Sequence, residues 1–432
     1  MAELTESRYN YRLKYDDQIV YFNGITRQFI PVPDILEDTV ESILHHPEKA
    51  TNTAPSFLEK LQSTGLLVER SVDEVEMIRE RYHQARNDLS YQLTISLGNV
   101  FSHASHDEYR ASEGVMSSRF TESIKKHFDR YIQENSIRQL QLEWYGKQLT
   151  QETLHVMEEI SLYANGLCTQ HNVDFHVGIT TYKLPEKLED LARITSLPVK
   201  SIRFILNLST AQNKQQSAKA KEISDFVERF PQWIALFPEM FFVILVRGAL
   251  DSIHFDLFLN QMNEHIDESV RKNVSVFFND ESMHLQEDES VRTEKLRQLF
   301  QSGYNQKWDD LLPTICTTEK KHAYAINLEG NVGKCLTRAH QGASGYLTTH
   351  GNIFWDETKL HIDSDIPLFE NIRCLSCKHL PICMGEYVSV QRLDDRSSIP
   401  SSCLLLPWGI SPESVVRYYC DVWLDRYSKS QV

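Results

Sequence analysis

The first 167 residues of this 432-residue chain contain no cysteine, which excludes a thiolate metal site or a disulfide anywhere in that stretch. All eight cysteines come later, and five of them crowd into residues 374–420. Positive charge is also scarce. Lys and Arg total 45 against 60 Asp and Glu, a net charge near −15 with no segregated basic patch, so a nucleic acid is not an expected ligand. Long apolar runs are missing too. The most apolar stretch, residues 240–246 (MFFVILV), stops at Arg247, far too short to span a bilayer and better read as a buried strand. The opening MAELTESRYNYRLKYDD carries charges where a secretory signal needs an apolar run, so the chain is expected to stay in the cytosol. In that reducing compartment clustered cysteines point to metal or cluster chemistry rather than structural disulfides.

The length and a hydrophobic content of 41% allow a large core and suggest two or three domains. Residues 9–31 alternate, with Tyr9, Tyr11, Leu13 and Tyr15 on one face, and Asn23-Gly24 separates IVYF from ITRQFI, a strong hairpin signal. The helical spacing of ILEDTVESILHH and APSFLEKLQSTGLLVE, with a stop at Gly65, completes an α+β unit of winged-helix type over residues 1–72. A charged connecting helix is expected over 73–90. From 91 to 310, six strand-like runs (YQLTISL, LQLEWY, VDFHVGIT, IRFILNL, FFVILV and VSVFF) alternate with amphipathic stretches, which predicts parallel βα units in a partial (β/α)6 barrel or open sheet. The acidic stretch at 279–290 reads as a solvated loop. Residues 311–432 form a cysteine-rich, loop-rich module closed by a helix. No internal repeat is evident.

Residues 374–387 read CLSCKHLPICMGEY, so Cys374, Cys377 and Cys383 form C-x2-C-x5-C. A C-x2-C pair lets two sulfurs approach one centre from a single turn, and Cys403 is the expected fourth ligand. Four thiolates suit either a tetrahedral zinc or a 4Fe–4S cube. The plain alternative is a set of ordinary buried thiols. Cys168 and Cys420 sit at apolar helix positions and read as small core residues.

Upstream, Cys316, Gly330 and Cys335 form C-x13-G-x4-C. Together with C-x2-C-x5-C and the later Cys403, this resembles the SPASM domain, the C-terminal module of peptide-modifying radical SAM enzymes. The resemblance implies that Cys374, Cys377, Cys383 and Cys403 ligate one auxiliary iron–sulfur cluster. A second auxiliary site would use Cys316, Cys335 and the position of Tyr387, where the family has cysteine. With two thiolates it is expected to be empty or altered, unless the phenol, His322 or His340 completes it. Two leftover buried thiols are an equal reading.

The resemblance extends over the whole chain and exposes a loss. Radical SAM enzymes carry C-x3-C-x2-C after the first barrel strand, where three thiolates hold the cluster that binds S-adenosylmethionine. Here the loop after Leu97 reads GNVFSHASHDEYR, with Phe101, Ser105 and Glu108 at those positions. WYGKQL (144–149) stands where the family has a glycine-glycine-glutamate-proline motif; Gly146 remains, while Lys147 and Gln148 replace the second glycine and the glutamate. Exchanging that carboxylate for an amide removes the charge-assisted partner of an ammonium. Thr180-Thr181-Tyr182 and Leu206-Asn207-Leu208 likewise depart from the Thr-Asn-Gly and Leu-Asp-Gly of relatives. Such decay at carboxyl-terminal strand ends argues for lost chemistry on a kept scaffold, and binding of S-adenosylmethionine is not expected. His103 and His106, with Asp107 or Glu108, form a polar-loop H-x2-H that reads first as surface.

The N-terminal unit resembles the winged-helix peptide-recognition element of peptide maturases, which adds an extended peptide to a sheet edge. The combined expectation is a degenerate, non-catalytic or accessory component of a ribosomal-peptide modification system, binding a precursor peptide or an active maturase and holding one SPASM-type 4Fe–4S cluster. The alternatives are a diverged redox or peptide-modifying enzyme that uses that cluster, and an interaction protein with a structural zinc site.

Overall fold

The computed structural model describes residues 3–50, 54–98, 118–183, 193–208, 216–248, 252–279, 289–307, 315–340, 342–356, 367–385 and 409–430. Six parallel strands form its centre: β6 (Ser90–Ser96), β7 (Gln139–Gln148), β8 (Asp174–Lys183), β9 (Val199–Asn207), β10 (Phe241–Arg247) and β11 (Val274–Asn279), adjacent in chain order. They coincide with the six runs expected from sequence. On the free edge of β6 the sheet continues through β12 (Ala323–Ile326), β13 (Asn331–Gly333), β14 (Gly345–Leu347) and β15 (Ile353–Trp355), giving ten strands in one mostly parallel sheet. Among the described residues no ladder joins β11 to β15, so the sheet is open.

Helices cover one face because their apolar residues recur each turn. In α4 (Ser118–Glu134), Phe120, Ile124, Phe128 and Ile132 are all buried. A capping box of Thr150 and Thr153 starts α5 (Gln151–His171), and Asn172 ends it in the left-handed conformation. β10 is apolar up to its final Arg247 and mostly buried, as expected of a parallel strand covered on both faces. β6 and β7 differ. Leu93, Leu140, Leu142 and Trp144 are buried towards the core, whereas Gln92, Thr94, Gln141, Glu143 and Tyr145 line a polar cavity.

The N-terminal residues form a short pair, β1 (Leu4–Glu6) with β5 (Leu67–Glu69), and a three-stranded antiparallel sheet of β2 (Asn10–Lys14), β3 (Gln18–Asn23) and β4 (Phe29–Pro33), with α1 (Glu37–His45) and α2 (Pro55–Ser63). The turn is longer than Asn23-Gly24 alone suggests. The Asn23 side chain accepts from the amides of Ile25 and Thr26, and Arg27 takes φ 59 before β4 begins. β3 is buried on both faces. Ile19 and Tyr21 join a cluster with Val40, Leu44 and Leu61, while Val20 and Phe22 join the main core. The unit is therefore packed onto the sheet body.

β4 is an edge strand with a particular chemistry. Asn23 N–H donates to the Gln28 carbonyl at 3.1 Å, and Val20 pairs with Pro31 and Gln18 with Pro33. Antiparallel positions alternate in bonding direction, so Phe29, Pro31 and Pro33 turn their polar backbone outwards. There the two prolines present carbonyls but no N–H.

The connecting helix is α3 (Glu74–Arg86), capped by Asp73, whose carboxylate accepts from the amides of Val75 and Glu76. It packs against the cysteine-rich module. Tyr82 meets Phe369 edge-on at 5.5 Å, and Arg79 makes two bonds to Glu370, at 2.6 and 3.3 Å.

Candidate metal centre

Cys374 lies on a single helical turn, Ile372–Leu375, whose cap is the Asn371 side chain accepting from the Cys374 amide at 3.0 Å. The Cys377 amide bonds to the Cys374 carbonyl at 3.0 Å, which closes the C-x2-C turn. Cys383 ends the next turn, Leu380–Cys383, and Met384 and Gly385 follow at φ 49 and 78. All three thiols are half-buried. Among the described residues no three His, Cys, Asp or Glu side chains converge closely enough to hold a metal ion. Cys403 and Tyr387 lie outside the described residues. The donor set fits a soft metal in kind, since three thiols share one short segment with no carboxylate between them.

The N-terminal unit covers this segment, a contact that sequence reasoning missed. The Tyr11 hydroxyl lies 3.2 Å from the Lys378 carbonyl and 2.9 Å from His379 Nδ1. Arg8 donates to the Leu375 carbonyl at 2.6 Å. Lys378 Nζ stands 5.2 Å from the Tyr11 ring centre. Burial, with the neighbouring Cys377 and Cys383, pushes the Tyr11 phenol well above its ordinary value. Burial and then Lys378 lower His379, which favours the neutral imidazole beside the Tyr11 hydroxyl. Tyr9, Ile25, Ile78, Tyr82, Phe369, Leu380 and Met384 form one apolar cluster with Cys374 against it. Hairpin, connecting helix and thiol segment thus share a core that no local pattern in the sequence announces.

Cys316 precedes a short 3-10 turn and accepts a hydrogen bond from Thr318 at 3.1 Å. Cys335 lines the polar cavity over β6 and β7; burial raises its thiol, opposed by the Arg338 amide and reinforced by nearby Cys316. The histidines considered as completing ligands have other partners: His322 Nδ1 is 2.6 Å from the Tyr131 hydroxyl and His340 Nε2 is 3.3 Å from Ser96 Oγ. Cys168 and Cys420 are fully buried.

The barrel-loop positions Phe101, His103, Ser105, His106, Asp107 and Glu108 lie outside the described residues. Of the strand-end motifs, Gly146 has a packing reason to be glycine, because a Cβ there would sit 3.1 Å from that of Leu97. Lys147 and Gln148 are exposed, and Thr180 and Thr181 are buried. The polar cavity, about 370 Å³, was not foreseen. At its centre Glu143 accepts from Gln141 at 3.1 Å, and its carboxyl is raised by desolvation against the opposing pull of Arg203. Gly178 makes room for that carboxylate, since a Cβ would overlap it. The visible signal was the polar alternation of QLQLE in β7.

No protein-family description matches the chain, and no characterised protein matches it in sequence. Several solved structures resemble it in shape. Streptococcus suis SuiB bound to S-adenosylmethionine is 12% identical with a TM-score of 0.43, the match covering 93% of this chain and all (100%) of the other. Native anSMEcpe with bound AdoMet is 14% identical at 0.47, covering 78% and 97%. The same protein with AdoMet and the Cp18Cys peptide is 13% identical at 0.44, covering 79% and 97%. These likenesses are distant, and the reading below rests on the chain's own residues.

Proposed function

We propose that this chain is a non-catalytic or accessory component of a ribosomal-peptide modification system, working in the cytosol. Its N-terminal unit docks a precursor peptide or an active maturase, and Cys374, Cys377, Cys383 and Cys403 hold one SPASM-type 4Fe–4S cluster in the C-terminal module. The observation that carries the reading is the shared core of hairpin, connecting helix and thiol segment, with the Tyr11–His379 contact at its rim. A cluster there would act as a staple, because ligation energy is folding energy for a segment of two short turns. The peptide-docking unit would then be held by the cluster-bearing segment beneath it. Cys316 and Cys335 are left without a third thiolate and are not assigned a cluster. The replacements at Lys147 and Gln148 favour an accessory role over chemistry on S-adenosylmethionine.

The test combines two assays on anaerobically purified protein. Incubation with S-adenosylmethionine and a strong reductant should give no reductive cleavage, and titration with a short ribosomally made precursor peptide should show binding. Stoichiometric cleavage would overturn the accessory reading, and absence of binding would remove the docking role.

A further inference from the structure

In a chain of net charge −15, arginines without carboxylate partners are conspicuous, and two lie together at the N-terminal hairpin. Arg81 donates to the Ile25 carbonyl at 2.8 Å, and its charge bears on Arg27. Burial, and for Arg27 also the neighbouring Arg81, disfavours both cations. Among the described residues neither guanidinium has a carboxylate within 4.0 Å, and Arg27 Nε is buried with no hydrogen-bond partner. Two adjacent, partly desolvated cations without a counterion are a standing electrostatic cost that a bound anion relieves.

Arg27 lines a cavity of about 250 Å³ between the start of β4 and the C-terminal helix Pro412–Ser430. Its wall is aromatic. The Phe29 ring stacks on Tyr419 at 5.1 Å and on Trp423 at 5.1 Å. Arg426, which donates to the Gln306 carbonyl, borders the same cavity. The cavity reaches Phe29, the first residue of β4, and further along that strand Pro31 and Pro33 turn only acceptors outwards.

We propose that this groove docks an acidic, extended peptide segment. A side-chain carboxylate pairs with Arg27, an adjoining apolar side chain lies against the Phe29–Trp423 stack, and the peptide's amides donate to the outward carbonyls of Phe29, Pro31 and Pro33. The molecule's overall negative charge disfavours a polyanion such as nucleic acid, whereas a single carboxylate needs only the local field. Charge-assisted pairing with a planar guanidinium supplies both affinity and register. The inference deepens the docking role proposed above by naming the site and the chemistry of its partner.

The experiment uses the full chain and two labelled decapeptides of alternating residues, Glu-Leu and Gln-Leu, followed by fluorescence anisotropy. The wild type should bind the Glu peptide about tenfold or more tightly than the Gln peptide, with affinity falling as salt rises and with a change in Trp423 emission that Trp423→Phe removes. Arg27→Asn deletes the cation at a left-handed position that Asn adopts readily, and should erase the preference at an unchanged thermal midpoint. Arg81→Gln should weaken it in parallel. Equal binding of both peptides, or a preference that survives in Arg27→Asn and Arg81→Gln, overturns this groove while binding of a ribosomally made precursor peptide still supports docking elsewhere. Failure of both peptides overturns the groove, and failure of a ribosomally made precursor peptide as well removes the docking role itself.

Discussion

His127 is 4% exposed between the Tyr91 hydroxyl, 2.7 Å from Nε2, and the Gly351 carbonyl, 2.9 Å from Nδ1. Burial pushes its value down to about 4 from an ordinary 6.5. Between those pH values the unfolded chain binds a proton that the folded chain refuses, so stability is full above the window and falls as the pH drops through it, by on the order of 3 kcal/mol at pH 4. Thermal midpoints measured from pH 7 to 5 should fall in the wild type and fall less steeply in His127→Gln; equal slopes would contradict this. Gly178 gives a second residue-scale expectation. Gly178→Ala drives a methyl into the Glu143 carboxylate and should cost about 1–3 kcal/mol, readable in denaturant midpoints, whereas Ala at exposed Gly166 should not. Neither residue advertises itself in sequence: a lone histidine on an apolar helix face and a glycine in a strand acquire meaning only from partners far along the chain.

At the scale of elements, legibility followed locality. β6 to β11 were readable because each buries an apolar run of the right length between helices with a 3.6-residue period, and α1, α2 and α3 announced themselves by spacing and by the stop at Gly65. The hairpin at Asn23 was readable in kind but not in length, because Asn23 uses its side chain to shape a longer turn with Arg27 left-handed. Long-range contacts were not readable. Nothing within residues 9–15 indicates that Tyr11 reaches His379, yet that contact ties the first sheet to the thiol segment. Tyr11→Phe keeps the ring and removes the hydroxyl, so it should cost about 1 kcal/mol and speed amide exchange around residues 374–384 more than in β6 to β11. Uniform exchange across the chain would argue that the segment does not depend on the hairpin.

For the whole molecule, the candidate site was legible as spacing and only partly as geometry. Cys374, Cys377 and Cys383 fall on one short half-buried segment, the polar cavity around Glu143 and Arg203 lies over the sheet, and the edge strand bearing Pro31 and Pro33 starts at an arginine and aromatic groove. Local residue patterns carry the thiol spacing because ligands in one turn are neighbours in sequence; they do not carry the arginine pair or the cavity, which tertiary packing assembles. The accessory role rests above all on one cluster held by Cys374, Cys377, Cys383 and Cys403. The most direct measurement is iron, sulfide and zinc content of anaerobically purified wild type beside Cys377→Ala. About four irons and four sulfides per chain, lost in the variant, is the predicted result. About one zinc without sulfide, or iron that persists unchanged in Cys377→Ala, would contradict it.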